Sequence, residues 1–287
     1  MSDAGLFFSR QAPGSEQALR SAVYAGEVFQ LAATAATQAL VIDARAALAA
    51  ALADCGPDPR VAARALSGEE FFRRMGALRR LFYTDPRFHD HLRAVVAAAG
   101  FSVKDVAFDP LRLRVVDHLG HENPSAAAVY YPHRDTWYGH PSALIVGWIA
   151  LDDLLPEETF WFFPRNFAAP APNDSEIFDY DAWVRDGWSL KIGWQDPEAG
   201  RRARYPRFTG ATRPAPAVGF GCAAGELLLF SGAHLHETRS HALGRTRFSL
   251  DFRLVHLGDA AAGRGAPNVD GRARGSALAD YVRGAVG

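Results

Sequence analysis

The stretch RTRFSLDFRLV, Arg245 to Val255, alternates along its whole length. Successive side chains of an extended chain point to opposite sides. Arg245, Arg247, Ser249, Asp251 and Arg253 therefore share one face, and Thr246, Phe248, Leu250, Phe252 and Leu254 share the other. So continuous an apolar face has to be buried. The polar face then looks either at water or into a functional cavity. Arg247 with Ser249 makes a ready carboxylate receptor, since guanidinium is a planar two-pronged donor and the hydroxyl adds a third bond. Arg245, beside a turn rich in Gly and His, is expected to keep its head in water.

Working outward, LRLRVV, SALIVGWIAL, TFWFF and GELLLFSG are short apolar or alternating runs punctuated by Gly, Pro, Asp and Asn, the texture of strands. Before them, from about Ser15 to Gly100, Ala, Leu, Arg and Glu dominate at helical spacing, as in SGEEFFRRMGALRRLFY. Ser67 with Glu70 reads as a capping box for that helix. The expected fold is mainly β with N-terminal helices: a double-stranded β-helix of the jelly-roll or cupin kind in a single domain. A helical part spans 1–105, the β core 106–257 with an irregular lid over about 168–218, and a C-terminal tail 258–287.

The 287 residues carry a formal net charge of -1, with 48% hydrophobic and 22% charged residues, so no whole-molecule attraction to nucleic acid is expected. The start, MSDAGLFFSRQAPG, lacks the basic-then-apolar pattern of a signal peptide. The Ala-rich run Gln30 to Cys55 is broken by Asp and Arg, which makes a poor membrane span. Cys55 and Cys222 are too few for a disulfide framework and read as reduced thiols. A cytoplasmic monomer or homodimer acting on a small molecule is the expectation.

In YYPHRDTWYGHP, Tyr130 to Pro141, His133 and Asp135 stand two apart. At a strand end both reach one small object, and a metal ion is the obvious one. The letters HRD also occur in protein-kinase catalytic loops, but here His140 stands where that motif needs asparagine, and no Gly-rich loop precedes it. A third ligand is sought about a hundred residues on, in GELLLFSGAHLHETRSHALG, where His234, His236 and His241 cluster after an apolar strand.

Two histidines, one carboxylate and a distant arginine resemble the Fe(II)/2-oxoglutarate-dependent oxygenases, and within them the phytanoyl-CoA dioxygenase-like branch. The resemblance runs in pattern from about Arg112 to Arg253. It implies Fe(II) on His133, Asp135 and a later histidine, with an arginine eleven residues beyond that histidine binding the far carboxylate of 2-oxoglutarate. His236 with Arg247 has that spacing (247 - 236 = 11), and so does His234 with Arg245 (245 - 234 = 11). The first pair is preferred: Arg247 is followed by Ser249, and Thr238 then takes a position where the branch often has a hydroxyl that contacts the co-substrate. The implied activity is hydroxylation of an unactivated C–H bond using O2, with release of succinate and CO2. Halogenation is not expected, since Asp135 fills the position chloride would need.

Two departures bear on substrate. The branch often has Asn where His241 stands, and a PGSH-like turn where this chain has FFPRNF, Phe162 to Phe167. Candidate substrate contacts are Trp137, Tyr138, His140, Arg165 and His241. Relatives oxidise acyl-CoA thioesters, amino acids, natural products and cell-surface sugars such as Kdo, and the sequence does not select among them. Arg134 is read as a structural ion-pair partner, and one of Arg112 and Arg114 as a side chain entering the cavity or lying at a solvated edge. His234 is read as a neighbour of the metal ligands, and RRARYPR, Arg201 to Arg207, as a solvated loop. A zinc hydrolase and a non-catalytic cupin-like binding protein are the rival classes, and neither has a use for a buried Arg-x-Ser at that spacing.

Overall fold

The computed structural model describes residues 7–122, 130–191 and 205–284, and of 186–191 the backbone only. Four helices come early: α1 (Glu16–Tyr24), α2 (Ala35–Ala51), α3 (Gly68–Thr84) and α4 (Pro86–Ala98). In α3 the buried side chains Met75, Leu78, Phe82 and Tyr83 recur at helical spacing and form one stripe. Ser67 caps it, its hydroxyl accepting from Glu70 N. The Glu70 carboxylate is engaged by Arg73 and Arg74, so only half of the expected capping box is built.

The strands are β1 (Phe8–Ser9), β2 (Val28–Leu31), β3 (Val106–Val116), β4 (Leu144–Ala150), β5 (Phe160–Phe162), β6 (Leu227–Ser231), β7 (His236–Thr238), β8 (Arg247–His256) and β9 (Val282–Arg283). Seven form one sheet in the order β1-β2-β6-β4-β8-β3-β9, antiparallel except for β1 with β2. β5 and β7 form a second, short sheet, extended by isolated bridges between His133 and His236 and between Phe162 and Val218. The mainly β, helix-buttressed arrangement is as expected, with the second layer reduced and no closed barrel. Pro110 has no N–H to give, and β3 shifts register around it between Asp109 and Arg112.

β8 lies between β3 and β4 and is buried almost throughout. Phe248, Leu250, Phe252 and Leu254 join the large core shared with α1 to α4. The opposite face turns toward the second sheet and a second core that holds Trp148, Phe160, Phe162, Phe220 and Phe230. The polar side chains of β8 thus look into the molecule rather than at water.

Three features differ from the sequence reading. β2 interrupts the helical region as a strand of four residues, too short for its period to show. The lid region contains a helix, α5 (Tyr180–Lys191), while 192–204 lies outside the described residues. The expected tail continues the fold, with α6 (Leu257–Ala261) and then β9 pairing with β3. Among the described residues no helix is long and apolar enough to cross a membrane.

Candidate active site

His133 bridges backbone to backbone with His236, N to O at 2.9 and 3.0 Å, and their ring centroids stand 4.5 Å apart. Arg134 is extended (φ -112, ψ 141), so His133 and Asp135 fall on one side, as an i, i+2 pair should. Asp135 then opens a short 3-10 turn, Asp135–Tyr138, which Gly139 ends at φ 74. A side chain at Gly139 would bring a Cβ to 3.0 Å from Tyr180 Cβ in a left-handed backbone, so glycine is required there. Arg134 anchors the segment from behind through Asp270, at 3.0 Å, and through the carbonyls of Ala233, Asn166 and Ala169, which is the structural role expected of it.

The donor set fits a divalent transition-metal ion. His133 Nδ1–H donates to the Tyr131 carbonyl at 2.9 Å and His236 Nδ1–H to the His234 carbonyl at 3.0 Å. Each Nε2 lone pair is therefore free, and the ring orientation is set by backbone. Burial holds His133 down to about 3 and lowers His236 as well, so both imidazoles are neutral at physiological pH. Burial pushes Asp135 up, but Arg253 and the imidazoles outweigh it and keep the carboxylate ionised. Two imidazoles and a carboxylate are the facial set of non-heme iron sites. Among the described residues no three such side chains stand at metal-holding spacing as they are. Asp135 Oδ2 is 3.8 Å from His236 Nε2, and Oδ1 is taken by Arg253.

Arg247 is 2% exposed. Among the described residues its polar partners are neutral: Nε donates to the Glu158 carbonyl at 3.1 Å, and Nη1 to the Ser249 hydroxyl. Its guanidinium lies 5.8 Å from the centre of the Trp148 ring. Burial lowers it to about 10, outweighing the opposing pull of Tyr130, Asp251 and Glu158. Arg245 is differently placed. It grips the buried Glu158 carboxylate at 2.9 and 2.6 Å, where the sequence reading had left its head in water.

His234 likewise turns away. Its Nε2–H donates to the Gly26 carbonyl at 3.0 Å and its ring packs on Phe167, so it supports His236 through its backbone oxygen. Arg112 pairs with Asp109, and Arg114, its side chain 38% exposed, pairs with Asp251 at 2.6 and 2.9 Å. Thr238 lies two residues beyond His236 on β7.

The five substrate candidates scatter. Tyr138 stacks edge-on to His133 at 5.5 Å and donates to the Pro206 carbonyl. His140 Nδ1 lies 2.8 Å from the Tyr281 hydroxyl. His241 is buried, its Nε2–H on the Val116 carbonyl and its Nδ1 without a hydrogen-bond partner among the described residues. Trp137 is placed elsewhere: fully buried with Phe163, Ala171 and Leu235, it donates to Asp270. Arg165 is exposed on the turn Pro164–Asn166. Of RRARYPR, Arg207 lies over the Tyr131 ring at 5.3 Å, and 201–204 falls outside the described residues. The sequence reading missed Asp109, Asp270 and Tyr281. It placed Arg253 on the correct face without giving it a role, and that alternation was the available signal.

No protein-family model matches the chain, and no curated protein is similar to it. Among solved structures it overlaps EvdO2 from Micromonospora carbonacea var. aurantiaca complexed with 2-oxoglutarate, at 14% identity over 64% of this chain and 65% of that one, with a TM-score of 0.38. It overlaps the epimerase SnoN in complex with Fe3+, alpha ketoglutarate and nogalamycin RO at 16% identity over 84% of each chain, TM-score 0.41. The non-heme monooxygenase ThoJ gives 12% identity over 83% of this chain and 76% of that one, TM-score 0.42. The chain spans under two-thirds of the length of EvdO2. Overlaps this loose concern the arrangement of elements and carry nothing about chemistry.

Proposed function

We propose that this protein is an Fe(II)/2-oxoglutarate-dependent dioxygenase that hydroxylates an unactivated C–H bond of a small organic substrate, of the phytanoyl-CoA dioxygenase-like branch. The observation that supports it best is the buried Arg247, whose polar partners among the described residues are neutral. It stands on a sheet facing a locus where His133, Asp135 and His236 come together. A desolvated guanidinium that no carboxylate hydrogen-bonds among the described residues is costly unless an anion completes it, and the far carboxylate of a metal-chelating dicarboxylate would do so.

On this reading His133, Asp135 and His236 hold the metal, while Arg247, with Ser249 and Thr238, binds the far carboxylate. Bound Fe(II) supplies activation of O2 coupled to decarboxylation of 2-oxoglutarate to succinate and CO2. The Tyr131 and His234 carbonyls keep both imidazoles in the ligating tautomer. Trp148 and the surrounding phenylalanines keep water from the Arg247 end, which strengthens its hold on an anion. Tyr138, the last residue of the ligand turn, and His140, two residues beyond it, are the candidates for meeting substrate. Candidate reactions are tailoring of a natural product or amino acid, or hydroxylation of a sugar such as Kdo.

Anaerobic mixing of the purified protein with Fe(II) and 2-oxoglutarate tests the reading. The expected result is a visible metal-to-ligand charge-transfer band that Zn(II) does not give. A zinc hydrolase or a plain binding protein shows no band.

A further inference from the structure

Asp135 has two carboxylate oxygens, and they are used differently. Oδ2 lies 3.8 Å from His236 Nε2. Oδ1 accepts from Arg253 twice, from Nη2 at 2.7 Å and Nε at 3.2 Å. Balancing a buried charge needs one such contact. Placing both donors on the same oxygen fixes the position of that oxygen and leaves the other clear.

Arg253 is itself held. Its Nη1 reaches Asp109 Oδ2 at 3.4 Å and Asp251 Oδ2 at 4.0 Å. Asp109 accepts from the Tyr83 hydroxyl at 3.1 Å and from Arg112 at 2.9 and 2.8 Å. A buried chain, Tyr83–Asp109–Arg253–Asp135, thus runs from α3 through β3 and β8 to the ligand turn. Each member stands on a different element, so the Asp135 side chain is set by the sheet and not by its own short turn.

We propose that Arg253 is a positioning residue of the metal site, occupying Oδ1 of Asp135 so that Oδ2 alone is presented to the ion. This rests on His133, Asp135 and His236 being the ligands. Removing Arg253 has two opposed effects on a divalent cation: the carboxylate loses its orientation, and a repelling charge disappears. Arg253→Lys separates the two effects, since a cation then still faces Asp109 and Asp251, which Arg112 and Arg114 hold more closely. Groups that orient metal ligands are worth ~10- to 100-fold in metal affinity.

The test is titration of the metal-free protein with Co(II), reading the dissociation constant and the visible absorption of the bound ion, for the wild type, Arg253→Lys and Arg253→Gln. Arg253→Lys keeps a cation facing Asp109 and Asp251, so it holds the fold where Arg253→Gln fails to. A single ammonium does not supply the two directed donors that hold Oδ1. Both variants are expected to bind Co(II) more weakly, the Gln form by ~10- to 100-fold, and with altered absorption because Asp135 is free to rotate. Wild-type affinity and an unchanged spectrum in Arg253→Lys, or tighter binding in either folded variant, would overturn the positioning role and leave the ligand assignment standing. Failure of the wild type to take up Co(II) would sink the ligand assignment and this inference with it.

Discussion

Arg245 and Glu158 form a paired contact, Nε to Oε1 at 2.9 Å and Nη2 to Oε2 at 2.6 Å, with the Glu158 side chain wholly buried. The same Glu158 accepts from Arg247 Nε through its carbonyl. Two arginines that look equivalent in the sequence are therefore split by one residue: its carboxylate neutralises Arg245, and its backbone steadies Arg247 without neutralising it.

Arg245→Ala accordingly acts on stability. Arg60 still pairs with Glu158 in the variant, and Arg245 is partly exposed, so the loss is that of charged hydrogen bonds, about 1–3 kcal/mol. Denaturant midpoints measure it. Binding of 2-oxoglutarate stays close to wild type. A large loss of co-substrate affinity with unchanged stability would assign the carboxylate to Arg245 instead.

Arg247→Met should do the reverse. An apolar chain of similar length replaces a buried cation whose described partners are neutral, so the protein without co-substrate keeps its stability or gains some. The affinity for 2-oxoglutarate falls several hundred-fold or more, equivalent to about 3–5 kcal/mol at tenfold per 1.4 kcal/mol. Equilibrium binding of 2-oxoglutarate to the Co(II)-loaded protein reads this directly, and Co(II) affinity serves as the internal control.

The strand alternation of Arg245 to Val255 and the His133–Asp135 pair were legible because both are local: a period of two and an i, i+2 spacing need no knowledge of neighbours. The choice between the pairs His234 with Arg245 and His236 with Arg247 was not, since both are eleven apart. What separates their surroundings is tertiary: Gly26 for His234 and Glu158 for Arg245, 208 and 87 residues away in sequence. Trp137 was only a candidate substrate contact from its nearness to Asp135, and the 3-10 turn carries its indole into the core against Asp270. Strand β2 escaped notice because four residues between helices show no periodicity.

Among the proposed ligands, alanine at each position removes metal binding but differs in its cost to the fold. His236→Ala and His133→Ala lose one backbone hydrogen bond each, about 1 kcal/mol. Asp135→Ala leaves Arg253 without its nearest partner, which costs more, about 2–4 kcal/mol, moderated by Asp109 and Asp251. Thermal melts of the three metal-free variants rank them. Equal melting temperatures would show that Arg253 does not depend on Asp135.

Stability of the metal-free protein should fall with acid sooner than carboxylate titration alone explains. Burial holds His133, His140 and His234 down to about 3, against 6.5 in the unfolded chain. Between those values the unfolded state binds more protons. The stabilisation is therefore complete above pH 6.5 and is lost as the pH drops toward 3, by up to about 1.4 kcal/mol per pH unit for each histidine. Urea midpoints at pH 7.5 and 5 measure it. His234→Gln, which keeps a donor for the Gly26 carbonyl, should flatten the dependence, and a slope identical to wild type would show that His234 titrates normally.

Asp270 fastens Arg134, the Trp137 indole and the Ala171 amide together, across 136, 133 and 99 residues of chain. During synthesis the ligand turn leaves the ribosome long before its fastener does. The contacts that Asp270 makes with the segment carrying His133 and Asp135 therefore form only after residue 270 has cleared the exit tunnel.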